Sequence, residues 1–122
     1  MSPQTDFSPV FEEMKSILKP FAPKLTLAVD TKEAYSIDGP YSEKWKRVLF
    51  FASAQVKKNY VSFYLMPVYM YPDLLNGISP ELKKRMQGKS CFNFKKVEPD
   101  LLKEIASLTK KSFERFIKEN AL

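Results

Sequence analysis

The chain has 122 residues, 44% hydrophobic and 14% aromatic, which is enough for one domain with its own core and argues against disorder. A single cysteine and no histidine exclude an internal disulfide, a Cys/His zinc site within one chain and any His-assisted nucleophile. The net charge of +6 is uneven: residues 1–43 carry seven acids against four lysines, residues 44–96 carry eleven Lys and Arg against two acids, and the rest balances.

Ser8-Pro9 opens a first helix over VFEEMKSILKPF, with Ser8 as the cap and Pro in the first turn, where no N–H is lost. Val10, Met14, Ile17, Leu18 and Phe21 share one face, and Pro20 and Pro23 end the helix. Leu25, Leu27 and Val29 then alternate with polar or small residues as a strand. Ala34–Ile37 is a shorter strand, stopped by the turn signal Asp38-Gly39-Pro40. Arg47–Val56 and Tyr60–Met66 are apolar runs joined by Lys57-Lys58-Asn59, a hairpin in which Asn59 takes positive φ. Ser79-Pro80-Glu81 opens a short helix over ELKKRMQ, closed by Gly88. Ser90, Phe92 and Phe94 alternate with Cys91, Asn93 and Lys95 in a last strand. Glu98-Pro99-Asp100 opens the final helix, with Leu101, Leu102, Ile105, Leu108, Phe113, Phe116 and Ile117 inward. The order αββββαβα predicts an α+β two-layer sandwich: a mostly antiparallel sheet of about five strands against N- and C-terminal helices. The domain spans residues 1–122, with its core over about 7–118.

Four groups of residues carry candidate chemistry. Cys91 sits on the strand face opposite Phe92 and Phe94, where Lys89 and Lys95 would lower its pKa if it is a reactive thiol; the alternative is a small half-buried packing residue. The stretch 64-YLMPVYMYPDLL-75 is either a buried connection or a pocket wall built from Tyr64, Met66, Tyr69 and Tyr71. Lys57, Lys58 and Lys95 form a basic patch, with Trp45 and Tyr60 beside basic clusters, an interleaving that single-stranded nucleic acids use. No nucleic-acid motif accompanies them. The carboxylates of the first helix have a plain alternative in helix-dipole compensation, and no acidic loop or phosphate-binding glycine loop is present.

The tract 82-LKKRMQGKSCFNFKKVEPDLLKEIASLTKKSFERF-116 resembles the end of the YdhG-like family, domain-of-unknown-function family 1801. There a short helix leads to a K/R-G-K/T strand, here Gln87-Gly88-Lys89, and an acid or Pro opens the last helix. The pair 50-FFASAQVKKNYVSFYL-65 is similar to the family's central hairpin, while 34-AYSIDGPYSEKW-45 replaces the family's Ser-Tyr-Gly-Met-Pro run. The resemblance implies a frataxin-like sandwich. It also implies an alternative role, because some members are regarded as iron chaperones for iron–sulfur cluster assembly. Glu12, Glu13 and Asp30 are the residues that would carry the metal, and iron is the one cofactor expected, under that alternative alone.

The resulting expectation is a cytoplasmic protein, since the first residues lack a signal-peptide pattern and no apolar run reaches membrane length. It acts as a binding module rather than an enzyme, through the basic and aromatic open face of its sheet. Tyr64, Met66, Tyr69, Tyr71, Lys89 and Cys91 are its ligand-binding candidates. The partner is an anionic ligand, a protein or a second copy of the chain, with nucleic acid as a further alternative.

Overall fold

The computed structural model describes residues 7–43 and 46–120. Helix α1 (Ser8–Leu18) buries Val10, Phe11, Met14 and Leu18 along one stripe, the face its 3.6-residue period predicts. Ser8 is the first helical residue and Phe7 occupies the cap position, so the expected serine cap is displaced by one residue. The α-helix ends at Leu18, and a 3₁₀ turn (Lys19–Lys24) runs through Pro20 and Pro23, which lack the N–H an α-helical ladder needs.

Five strands follow: β1 (Thr26–Asp30), β2 (Ala34–Ser42), β3 (Arg47–Val56), β4 (Val61–Leu65) and β5 (Cys91–Phe94). They form one sheet in the order β1-β2-β3-β4-β5, with every pair antiparallel. Between β4 and β5 lie α2 (Met66–Met70), a 3₁₀ turn (Pro72–Leu75) and α3 (Pro80–Lys83). The last helix, α4 (Pro99–Asn120), packs beside α1 on the same side of the sheet. The fold is the two-layer α+β sandwich that the element order predicts, with α2 added where the reading had only a strand end and a connection.

Four details differ from expectation. Leu27 and Val29 do not enter the core: β1 is an edge strand, exposed throughout, with Leu27 at 45% and Val29 at 39%. An extra residue at Ala28 bulges the strand and ends its alternation. Asp38-Gly39-Pro40 is not a turn, because β2 runs through it with two register shifts. Among the described non-glycine residues positive φ falls on Lys46 (59°), not on Asn59. The middle helix stops at Lys83, and the chain then runs beside β5, with Asn93 N–H donating to the Arg85 carbonyl and Gln87 N–H to the Cys91 carbonyl. Gly88, at φ 83°, turns this segment back into β5.

The core lies between the helices and one face of the sheet. Across it run Tyr35, Ala54, Phe63 and Phe92 in one row, and Ile37, Ala52 and Leu65 in the next. The shift opposite Ile37 and Asp38 brings the consecutive residues Phe51 and Ala52 both into the buried layer. Phe51 meets Phe113 edge-on at 5.8 Å and Phe116 at 5.5 Å, and Phe21 closes the group 5.0 Å from Phe113. Such pairs add about 0.5–1.5 kcal/mol each beyond the area they bury.

Gly39 lies under this cluster: a β-carbon there would stand 2.6 Å from Phe116 Cε2 and 3.2 Å from the Leu49 carbonyl oxygen. Gly39→Ala is therefore expected to destabilise the fold by about 1–3 kcal/mol through overpacking. Urea unfolding checks this: the midpoint should drop with the m-value kept, and an unchanged midpoint would disprove the close approach.

Candidate functional site

Both long helices take one side of the sheet, so among the described residues no layer covers the other face. Strand alternation sets its residues. Ser36, Ser53, Tyr64 and Cys91 form one cross-strand row, and Ala34, Gln55, Ser62 and Asn93 form the next. The rows are held by their own hydrogen bonds. Lys57 Nζ donates to Gln55 Oε1 (2.9 Å), and Gln55 Nε2 donates to Ser53 Oγ (3.1 Å). Ser62 Oγ (2.6 Å) and Cys91 Sγ (3.3 Å) both donate to Asn93 Oδ1. Lys57 also lies over the Tyr64 ring, 5.7 Å from its centre. Ser53 and Ser62 are only 1% exposed, small residues sunk between larger ones. The middle of the face is thus polar and already internally satisfied.

Cys91 occupies the position its alternation predicts, half-buried and opposite Tyr64. This agrees with the packing reading and not with the reactive-thiol alternative. Burial pushes the thiol above its ordinary value, outweighing the Ser62 and Tyr64 hydroxyls and the Lys57 charge that pull it down. The cation acting on it is Lys57, from the neighbouring hairpin, and not its chain neighbours Lys89 and Lys95.

The remaining candidates separate. Met66 and Tyr69 line a hollow of about 460 Å³ with Arg47, Leu49, Phe50 and Met70. It exists because β3 is twice the length of β4: the last pair is Ala52 with Leu65, so Arg47–Phe51 runs on without a partner on that side, and α2 turns against it. Val48 (51%), Tyr41 (53%) and Tyr69 (50%) extend this end of the protein as exposed apolar surface. Lys89 stands 5.9 Å from the Tyr69 ring centre, which brings that candidate to the rim. Among the described residues, Arg47 is the sole charged group lining the hollow. Tyr64 and Cys91 are not part of its wall. Tyr71 turns to α4, where the Arg115 guanidinium covers its ring at 4.5 Å while binding Asp73 (2.9 Å) and Glu119 (2.8 Å). Phe50 and Met70 were not singled out from the sequence, and Arg47 only as part of the basic cluster around Trp45, although the unequal lengths of the two hairpin strands were visible there.

The basic patch is also divided. Lys57 lies on the face, Lys58 is exposed in the hairpin turn, and Lys95 belongs to a cleft at the other end of β4, with Lys84 and Lys96. Of the nucleic-acid candidates, Tyr60 is half-buried beside the hairpin and Trp45 lies outside the described residues. Glu12 and Glu13 are exposed on α1, and Asp30 is paired with Lys15 at 3.3 Å. Among the described residues no three Asp, Glu or Cys side chains gather into a metal site. No described helix is long and apolar enough to cross a membrane.

One ion pair braces the cleft. Arg85 Nε and Nη2 donate to the two Glu98 carboxylate oxygens at 2.8 and 2.6 Å. These bonds hold the Glu98 carboxyl below its usual range and raise Arg85. Glu98, foreseen as the side-chain cap of α4, is turned to Arg85 instead and contributes its backbone carbonyl to Leu102 N–H.

Comparison of the chain with protein-family models, curated proteins and solved structures returns no significant match.

Two outcomes follow. Cys91 should be alkylated by iodoacetamide more slowly in the folded chain than in urea at about pH 8; a faster folded rate would reverse the assignment. Since the folded thiol titrates above the unfolded one, its stabilising effect is full at neutral pH and is lost as pH rises through the folded value. For Glu98 the sign is opposite: its lowered value stabilises the fold above the ordinary carboxylate range and stops doing so as pH falls through the lowered value. Glu98→Gln should therefore cost on the order of 1 kcal/mol at neutral pH and nothing in strong acid, read from thermal melts across pH. A gap that persists in acid would remove the ion pair as its cause.

Proposed function

We propose that the chain is a non-enzymatic binding module. The hollow between β3 and α2 takes a small amphipathic anion, an apolar body carrying one carboxylate or similar group. The observation that carries this reading is a cavity of about 460 Å³ with an apolar and aromatic wall and Arg47 as its one described charged lining residue. Its volume falls within the range of small-molecule sites, and a mainly apolar wall with one fixed polar group is how such sites combine affinity with orientation. Met and Tyr suit it, being adaptable and amphipathic. Lys89, over Tyr69, adds a second cation at the rim. Among the described residues no acid lines the hollow to repel an anion.

The non-enzymatic reading draws support from the absence of histidine and from a cysteine whose thiol burial keeps protonated. The helix-flanked five-stranded sheet supports placing the chain beside the YdhG-like proteins.

The test is a fluorescence titration with anilinonaphthalene sulfonate, an apolar anion, followed by displacement with decanoate and with decanol. Saturable one-to-one binding displaced by decanoate is expected. Arg47→Gln should weaken decanoate about twofold to fivefold, the worth of one exposed ion pair, and leave decanol unaffected. Met66→Asp should weaken both. Unsaturable binding, or a decanoate affinity indifferent to Arg47→Gln, would defeat the proposal.

A further inference from the structure

The cleft at the opposite end of β4 is a separate feature, and its chemistry differs from that of the hollow. It encloses about 480 Å³ between β5 and the segment running beside it, and Lys84, Arg85, Gln87, Asn93, Lys95 and Lys96 line it. Its one acid among the described residues, Glu98, has both carboxylate oxygens engaged by Arg85 and also feels the Lys96 charge. The Arg85–Glu98 pair is thus internally neutral and acts as a brace. Three ammonium groups remain. Lys84, Lys95 and Lys96 are exposed, and among the described residues none of them is in an ion pair.

The amides add directional donors. Asn93 Oδ1 already accepts from Ser62 and Cys91, which orients the group and leaves its NH₂ without a described partner. Gln87 likewise has no side-chain hydrogen bond among the described residues, so its amide is free to donate. A site with three cations, two free amides and its only carboxylate already satisfied offers donors almost exclusively. The matching ligand is compact, carries more than one negative charge and presents several acceptor oxygens. A carboxylate offers one charge and two oxygens. A phosphate monoester offers about −1.5 to −2 and three oxygens, and lysine is a common partner for it.

We propose that this cleft binds a phosphate monoester group, held by Lys84, Lys95 and Lys96 and oriented by the Asn93 amide. The group is borne either by a small soluble molecule or by a lipid headgroup; the same donors would recognise both. This inference does not depend on the hollow, which lies beyond the other end of β4 and shares none of its lining residues.

The test is nitrogen-15 NMR of the full chain, titrated with inorganic phosphate, with glycerol phosphate and with phosphatidylcholine vesicles with and without phosphatidate. Saturable shifts are expected at the backbone amides of residues 84–87 and 93–96 and at the Asn93 side-chain amide. The exposed double substitution Lys95→Gln/Lys96→Gln should weaken binding about tenfold while leaving the melting temperature in place. Lys110→Gln/Lys111→Gln, exposed on α4 and outside the cleft, should change affinity little. Binding of glycerol phosphate assigns a soluble ligand, and binding of phosphatidate vesicles alone assigns a lipid. The proposal fails if no probe gives saturable shifts by about 50 mM, or if both lysine pairs lower affinity equally, since that describes general attraction to a basic protein. Decanoate at saturation should leave phosphate binding intact, which separates failure here from failure at the hollow.

Discussion

The close approach of Phe116 to Gly39 sets the arrangement of the whole molecule. Phe21, Phe51, Phe113 and Phe116 form one aromatic cluster, and the Phe116 ring packs closely on residue 39, where a β-carbon would crowd it. The register shift opposite Ile37 and Asp38 serves the same contact by presenting Phe51 and Ala52 together to the helices. With α1 and α4 both drawn to that side, no layer among the described residues covers the other side of the sheet. The hollow and the cleft lie at opposite ends of β4.

Electrostatics then sorts the basic surplus. Lys15 is engaged by Asp30, Arg85 by Glu98, and Arg115 by Asp73, Glu119 and the Tyr71 ring. Lys57 is turned onto Gln55 and Tyr64. These groups hold the fold and its surface in place, and cations over aromatic rings contribute about 0.5–1 kcal/mol each at exposed sites. Around the two hollows, the lining cations without an ion pair among the described residues are Arg47 at the apolar end and Lys84, Lys95 and Lys96 at the polar end. The face between them is closed by its own hydrogen bonds, so it separates two surfaces of different chemistry.

Much of the architecture was legible because it rests on local rules. Proline in the first turn of a helix, the apolar stripes of α1 and α4, and the alternation of Phe92 and Phe94 against Cys91 all follow from backbone geometry. Local rules failed where a partner overrode them. Asp38-Gly39-Pro40 is a turn signal by composition but stays in a strand, because β3 pairs on both sides of it, Asp38 with Phe50 and Tyr41 with Val48, and Phe116 packs on the glycine. Leu27 and Val29 alternate like core residues but remain exposed, because they lie on an edge strand bulged at Ala28. Lys89 and Lys95 neighbour Cys91 in the chain, but the hairpin brings Lys57 to it, and burial outweighs that charge.

The sequence by itself determined the class of the fold, the faces of β5 and the two long helices, and the exclusion of histidine chemistry, since each depends on residue type and spacing alone. The tertiary structure alone decided that Met66 and Tyr69 meet Arg47 and Phe50, that Tyr71 serves α4, and that Lys84 joins Lys95 and Lys96. Those groupings come from strand-length mismatch and from the return of residues 85–87 along β5, and no spacing along the chain encodes the distance between two segments that only pairing brings together.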